Sequence, residues 1–193
     1  MKILAFAASM RKNSYNRMLI KQAAEILKSA PDAVLDLADY REFEMPNYDG
    51  DLEDSAGIPP GGREFIRRIL AADGLILSTP EYNGGIPGSL KNAIDWASRD
   101  DSDPFQGKTL LLLGTSPGRF GSVRGLWHTR IPFEAMGAYV YPEMFALPNA
   151  RQAFNDAGAF ADPKNRDRLE ALIRSYLQYV RALMGDRSAN HPY

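Results

Sequence analysis

A three-layer α/β fold, with one parallel sheet covered by helices on both faces, is the class this sequence predicts. Three observations predict it. Short apolar runs alternate with helical stretches along the chain. The first run, Ile3 to Ala8, is apolar at every position, as in a strand buried on both faces. Three loops that follow predicted strands are rich in glycine, proline and small polar residues, and in doubly wound sheets the ligand sits beyond the carboxyl ends of the strands.

Residues 2–8 are the first strand. Residues 15–29 follow as a helix, with Leu19, Ile20, Ala23, Ala24 and Leu27 on one stripe and Pro31 ending it. Residues 33–38 form a second, weaker strand. Residues 40–60 read as a long acidic loop (Glu42, Glu44, Asp49, Asp51, Glu53, Asp54) closed by Pro59-Pro60. A helix spans 62–72, the third strand 75–78, a Gly/Pro-punctuated loop 79–87 and a helix 88–98. The fourth strand covers 109–113 and a glycine-rich loop 114–122. The next helix runs to about 136, and Pro132 should kink it. Residues 138–141 make a fifth short strand. The last helix, 165–184, sets Leu169, Leu172, Ile173, Tyr176, Leu177, Val180 and Leu183 on one face. A five-stranded parallel sheet in order 2-1-3-4-5 accommodates this alternation. With no repeat or linker, residues 1–184 form one domain and 185–193, including His191, a polar tail.

Composition excludes several classes. The 193 residues suit one domain. With 23 Lys+Arg against 24 Asp+Glu, the chain lacks the basic excess of a dedicated nucleic-acid binder. Cysteine is absent, which removes disulfides, thiol nucleophiles and sulfur-ligated metals. His128 and His191 are too few for a His-rich metal site, and no metal is expected. No segment approaches the ~18 apolar residues of a membrane helix. Met1-Lys2 followed by Ile3 to Ala8 mimics a short signal peptide, but a buried first strand and a cytoplasmic protein are the reading adopted.

The loop after the first strand, Ala8 to Arg17, lies between a strand and a helix N-terminus. There, unpaired N–H groups and the helix dipole favour an anion. Ser9, Ser14 and Asn16 can donate hydrogen bonds to phosphate oxygens, and Arg11 adds a charge-assisted one. A plain N-cap by Ser14 is the simpler alternative, which leaves Ser9 and Arg11 unaccounted for. Neither G-x-G-x-x-G nor G-K-[ST] occurs, so ATP or GTP chemistry is not expected.

In the loop after the third strand, Thr79 to Gly88, the prolines fix the shape and the glycines admit a flat ligand. Tyr82 offers an aromatic face and Asn83 both a donor and an acceptor, as the edge of a heteroaromatic ring requires. A rigid turn without a ligand is the alternative. Glu81 reads either as a general acid or as an acceptor for loop N–H groups. The loop after the fourth strand, Gly114 to Ser122, repeats the backbone-exposing character. His128 reads as packing or surface. Trp96 lies about 120° from the stripe of Leu90, Ala93, Ile94 and Ala97. It marks either an oligomer interface or a ring folded over a neighbouring loop.

Ser9-Met10-Arg11-Lys12-Asn13-Ser14-Tyr15-Asn16-Arg17 resembles the S-x-R-x-x-S-x-N-R signature of the NADPH-dependent FMN reductases, a family that includes flavodoxin-like quinone, chromate and azo-dye reductases. Thr79 to Gly88, followed by Leu90 to Arg99, is similar to the family's P-E-Y-N-x-x-x-P-G-x-L-K-N-A-I-D-W segment. Ser116-Pro117-Gly118 and Phe120 to Arg124 match its third loop. The resemblance covers roughly residues 1–184. Three departures stand out: Ala8 where the family often has glycine, Gly84 where some quinone and chromate reductases carry a second tyrosine that joins a contact network between subunits, and Pro132.

The resemblance implies a flavodoxin-like fold, FMN as cofactor and NADPH or NADH as hydride donor. Carried over by position, Ser9, Arg11, Ser14 and Asn16, with Tyr15 among them, would hold the phosphate. Pro80, Glu81, Tyr82, Asn83 and Gly84 would meet the isoalloxazine and ribityl groups, and Ser116 and Gly118 the remaining ring edge. Hydride transfer is the flavin's own chemistry, so no catalytic side chain is expected. Donor and acceptor would share one face, which predicts ping-pong kinetics. Arg119 and Arg124 are candidates for the NADPH 2′-phosphate, or else solvated charges. The acceptor would be a small molecule: a flavin, quinone, metal oxyanion or azo compound. A homodimer is implied, or a tetramer, with the partner's 40–60 loop (Tyr48, Asp49) near FMN. Two rivals remain at this level. A flavodoxin-type electron carrier is opposed by the near-neutral charge and Arg11. A fold that has lost its cofactor is opposed by the intact phosphate-loop residues.

Overall fold

β1 (Lys2–Ala7) runs through the middle of a parallel sheet in the computed structural model of the chain, which describes residues 1–189 and the side chains of 1–184. β2 (Val34–Ala38) pairs along one edge of β1, from Lys2 opposite Val34 to Phe6 opposite Ala38. β3 (Gly74–Ser78) pairs along the other, from Ile3 opposite Gly74 to Ala7 opposite Ser78. β4 (Thr109–Thr115) follows β3, and β5 (Tyr139–Val140) follows β4, giving the order 2-1-3-4-5.

Continuous apolar strands are explained by two cores, one on each face. Leu4, Phe6, Leu75, Leu77, Leu110 and Leu112 point to one; Ile3, Ala5, Ile76, Leu111 and Leu113 point to the other. The first core is roofed by α3 (Pro60–Leu70), α4 (Gly88–Ala97) and α5 (Val123–Ala135) through Phe65, Ile69, Leu90, Ile94, Leu126 and Phe133. The second is roofed by α1 (Tyr15–Lys28) and α7 (Pro163–Ala189) through Leu19, Ala23, Leu27, Leu169, Ile173 and Tyr176. At the amino-terminal edge the buried Tyr176 hydroxyl accepts from the Leu75 amide at 3.0 Å and lies 3.1 Å from the Thr109 hydroxyl. That end of the sheet is closed by packing.

Several boundaries differ from expectation. The fifth strand is shorter than 138–141, because Pro142 offers no N–H and breaks the ladder. Pairing with β4 resumes at β6 (Phe145–Leu147), a strand too short to show periodicity, which extends β4 to Thr115. A short helix, α6 (Ala150–Ala153), follows. The segment 40–60 is not simply a loop: it holds a 3-10 turn, Tyr40–Phe43, and α2 (Gly50–Ala56), capped by the side chains of Asp39 and Asp49. α5 continues across Pro132 and ends three residues later. α7 extends past 184 to Ala189, into the expected tail; His191 lies outside the described residues.

Trp96 is corrected as an interface candidate. It is fully buried, and its Nε1 donates to the Pro46 carbonyl at 2.9 Å. Asn92 holds the covering segment, donating to the same carbonyl at 2.9 Å and accepting from the Tyr48 amide at 2.7 Å. The Tyr48 ring meets the indole edge-on, centroids 5.1 Å apart. Helical periodicity places Trp96 off the core stripe, but a chain segment distant in sequence covers it.

Candidate functional site

β1, β3 and β4 end side by side, and one side chain joins the loops that follow them. Asn16, buried in the first turn of α1, donates from Nδ2 to the Thr115 carbonyl at 3.0 Å. Its Oδ1 accepts from the Ser78 hydroxyl at 2.9 Å and from the Thr115 amide at 3.1 Å. The Thr115 carbonyl also accepts from the Ser122 hydroxyl at 3.0 Å. A buried carboxamide satisfied in this way fixes the three loops against one another. Asn16 therefore differs from its expected part as a phosphate donor: its side chain shapes the site from inside.

The first loop leaves a run of amides unpaired. The Ala8 amide donates to Ser78 at 2.9 Å and the Ser9 amide to Ala7 at 2.7 Å. Ser14 caps α1, accepting from the Asn16 amide at 3.2 Å. The amides of Met10, Arg11, Lys12, Asn13 and Tyr15 find no acceptor among the described residues. The Ser9 hydroxyl makes no hydrogen bond there either, and the Ser14 hydroxyl keeps its own proton for another acceptor. Arg11 is exposed and without an ion pair among the described residues. Tyr15 stacks on Phe154, centroids 6.3 Å apart, and so supports the loop through its ring.

In the second loop, Tyr82 and Gly85 exchange backbone bonds of 3.1 and 3.0 Å around Asn83 and Gly84, at φ 53° and 80°. This is a type I′ turn, which accounts for glycine at 84, where any side chain would be strained. The turn holds Tyr82 half exposed, while Pro80 is buried beneath. His128 is exposed, its Nδ1 3.3 Å from where a Cβ on Gly85 would lie.

Glu81 ties this loop to α5. Its Oε1 accepts from Arg124 Nε at 2.8 Å and also from Arg124 Nη2; its Oε2 accepts from the Gly125 amide at 3.1 Å. The carboxylate occupies the N-terminus of α5, where Ser122 makes no side-chain cap. Burial raises its pKa, but the bonds from Arg124 and Gly125 outweigh burial and hold it below its ordinary value. Of the two readings of Glu81, the N–H acceptor is the one the structure supports. Arg124 is thereby engaged, and its guanidinium lies 5.3 Å from the Phe120 ring centre.

The third loop rests on β6 and α6, which the sequence patterns do not reveal. The Ser116 amide donates to Leu147 at 3.4 Å, the Ala150 amide to Ser116 at 3.0 Å and the Asn149 amide to Gly118 at 3.2 Å. Gly121 is at φ 57°, and a Cβ there would lie 2.7 Å from the Leu147 carbonyl carbon, so only glycine fits. Gly118 is exposed and Ser116 partly so. Arg119 is exposed, with no ion pair among the described residues.

The model of the NADPH-dependent FMN reductase family matches residues 1–152. The chain belongs to this family. An NAD(P)H-dependent FMN reductase of Pseudomonas aeruginosa is 37% identical over 186 residues, covering 95% of this chain and 97% of the relative. A quinone reductase of Escherichia coli is 29% identical over 184 residues, covering 93% and 95%. Among solved structures, the flavoenzyme NAD(P)H:(acceptor) oxidoreductase FerB of Paracoccus denitrificans superposes with a TM-score of 0.80 at 27% identity, over 94% of this chain and 97% of that one. This FMN reductase family member is accordingly a flavin oxidoreductase, with FMN as its cofactor and NAD(P)H as its reductant.

The lowered pKa of Glu81 has a stability consequence. Its contribution is full above the ordinary carboxylate value and is lost as pH falls through the lowered folded value. Glu81→Gln should cost about 1–3 kcal/mol in urea unfolding at pH 7, and the gap to wild type should narrow as the pH is taken below the ordinary carboxylate range. A gap constant across that range would contradict the carboxylate clamp.

Proposed function

We propose that the chain is an NAD(P)H-dependent reductase of the FMN and quinone type, working by a ping-pong cycle. The observation that carries this reading is the run of unpaired amides at the N-terminus of α1. Together with the Ser9 and Ser14 hydroxyls and the Arg11 guanidinium, it offers donors without a carboxylate among them, as a phosphate requires. Asn16 orients that loop and Tyr15 props it. Pro80, Tyr82, Asn83 and Gly84 would border the flavin ring, and Glu81 fixes their loop to α5. Ser116 and Gly118 offer backbone to the other ring edge.

FMN, when bound, would supply the redox chemistry between NAD(P)H and an acceptor. The chain's part is to bind, orient and leave one ring face open, beside the half-exposed Tyr82 and Phe120. Reductant and acceptor use that face in turn, which is the basis of the ping-pong cycle. Glu81 is ionised and bonded, so proton movement is not assigned to it. Arg119 is the cation offered to the NADPH 2′-phosphate, since Arg124 is held by Glu81. Quinones, flavins, azo compounds and metal oxyanions share the requirement of an open flavin edge. A cytoplasmic setting, where reduced nicotinamide is made, is part of the proposal; no helix among the described residues is long and apolar enough to cross a membrane.

A homodimer is the assembly we propose, through α5. Its outer face carries Trp127 (54% exposed) and Ile131 (64% exposed), one helical turn apart. Antiparallel pairing of two copies about the midpoint of Trp127 and Ile131 sets each Trp127 by the partner's Ile131. The two-fold register makes the contact isologous, with the same apolar patch on each copy. Tyr48 and Asp49 are engaged within their own chain, with Glu53 and the Asp51 amide.

Anaerobic addition of one equivalent of NADPH to the FMN-loaded protein should bleach the flavin absorbance within seconds. Double-reciprocal plots against a quinone should then run parallel. Flavin that stays oxidised, or lines that intersect, would overturn the reductase or the shared face respectively. Sedimentation should find a dimer at micromolar protein and a monomer for Ile131→Glu; a monomeric wild type would remove the α5 interface.

A further inference from the structure

Arg41 belongs to none of the three loops, yet it reaches the first of them. Asp39, directly after β2, caps the 3-10 turn: its Oδ1 accepts from the Arg41 amide at 3.2 Å, while Glu42 Oε1 accepts from the Asp39 amide at 2.8 Å. Asp39 Oδ2 accepts from Arg17 Nη2 at 2.6 Å, which fastens this corner to the first turn of α1. The Arg17 hydrogen bond holds the Asp39 carboxyl below its ordinary value, so the anchor stays charged through the neutral range. From the same corner, Arg41 Nη2 donates to the Met10 carbonyl at 3.1 Å. The corner thus grips the loop at both ends, at Met10 and at Arg17.

The bond to Met10 has a direction built into it. Among the described residues there is no cis peptide bond. The Met10 carbonyl and the Arg11 amide, which share one trans peptide unit, therefore point opposite ways. Drawing the carbonyl toward Arg41 turns the Arg11 N–H away from it. It also removes an oxygen, which would repel an anion, from the run of unpaired amides.

We propose that Arg41, anchored through Asp39, is a positioning residue for the phosphate loop: it holds the Met10–Arg11 peptide so that N–H rather than C=O faces the phosphate of FMN. The inference rests on the flavin reading above and adds to it a residue outside the signature motif. It acts through a neutral carbonyl and not through its charge on the phosphate.

Riboflavin, which lacks the phosphate, separates this role from a general structural one. Dissociation constants for FMN and riboflavin would be measured by flavin fluorescence on the apoprotein of wild type, Arg41→Ala, Arg41→Lys and Asp39→Asn. Arg41→Ala should weaken FMN about tenfold and leave riboflavin within about twofold. Arg41→Lys, which can still donate to the carbonyl, should recover part of the loss. Asp39→Asn keeps a capping oxygen but gives up the charge that holds Arg17, and should shift FMN in the same direction by less. The salt dependence of FMN binding should match wild type in Arg41→Ala, because the lost bond is to a carbonyl. Equal weakening of both flavins, an unchanged ratio, or a flattened salt dependence would each overturn the positioning role. A wild-type protein that binds FMN no better than riboflavin would instead end the phosphate reading itself, a failure distinct from that of Arg41.

Discussion

The carboxamide of Asn16 is the constraint on which the carboxyl edge of this sheet depends. Ser78 and Thr115 lie 62 and 99 residues away in the chain, and Asn16 bonds both. Separating these loops would leave buried donors and acceptors of Asn16 without partners, at a cost of about 1–3 kcal/mol each. The geometry of the mouth is therefore set by a side chain that does not itself line it. Outside this joint, the loops are held by separate ties: Glu81 to the start of α5, Ser116 and Gly118 to β6 and the segment after it, Asp39 and Arg41 to the loop after β1.

Charge is distributed to match. The chain is near neutral overall, but its exposed cations at this edge, Arg11 and Arg119, have no carboxylate partner among the described residues. Glu81, the carboxylate of the loop after β3, is neutralised by Arg124 and by the α5 N-terminus. The loop after β1 thus presents unpaired donors, while the turn from Tyr82 to Gly85 carries no charge. The protein supplies binding and orientation, as suits a reaction whose electron chemistry belongs to the cofactor.

Much of this was legible in the sequence because β1, β3 and β4 are buried on both faces, and unbroken apolar runs report that directly. The loops after them announced themselves through Ser9, Arg11 and Ser14 and through Asn83-Gly84, whose type the turn chemistry demands. What stayed hidden depends on partners distant in the chain. Helical spacing set Trp96 off the core stripe but could not choose between an interface and a loop-covered ring, because the cover, Pro46 and Tyr48 drawn over by Asn92, is distant in the chain. β6 is three residues between Pro142 and Pro148, too short for any period to register. Asn16 was recognisable as a polar residue at a helix start, but its three partners are known only once β3 and β4 are side by side. Arg41 lay in a segment that composition marks as acidic loop.

Backbone hydrogen exchange with and without FMN is the most direct test of a phosphate held at the joint. The amides of Met10 to Tyr15, unpaired in the structure, should gain protection when FMN binds, and so should those near Gly118, while the backbone of β1, β3 and β4 stays unchanged. Protection that leaves Met10 to Tyr15 untouched, or that appears only along α7, would contradict it.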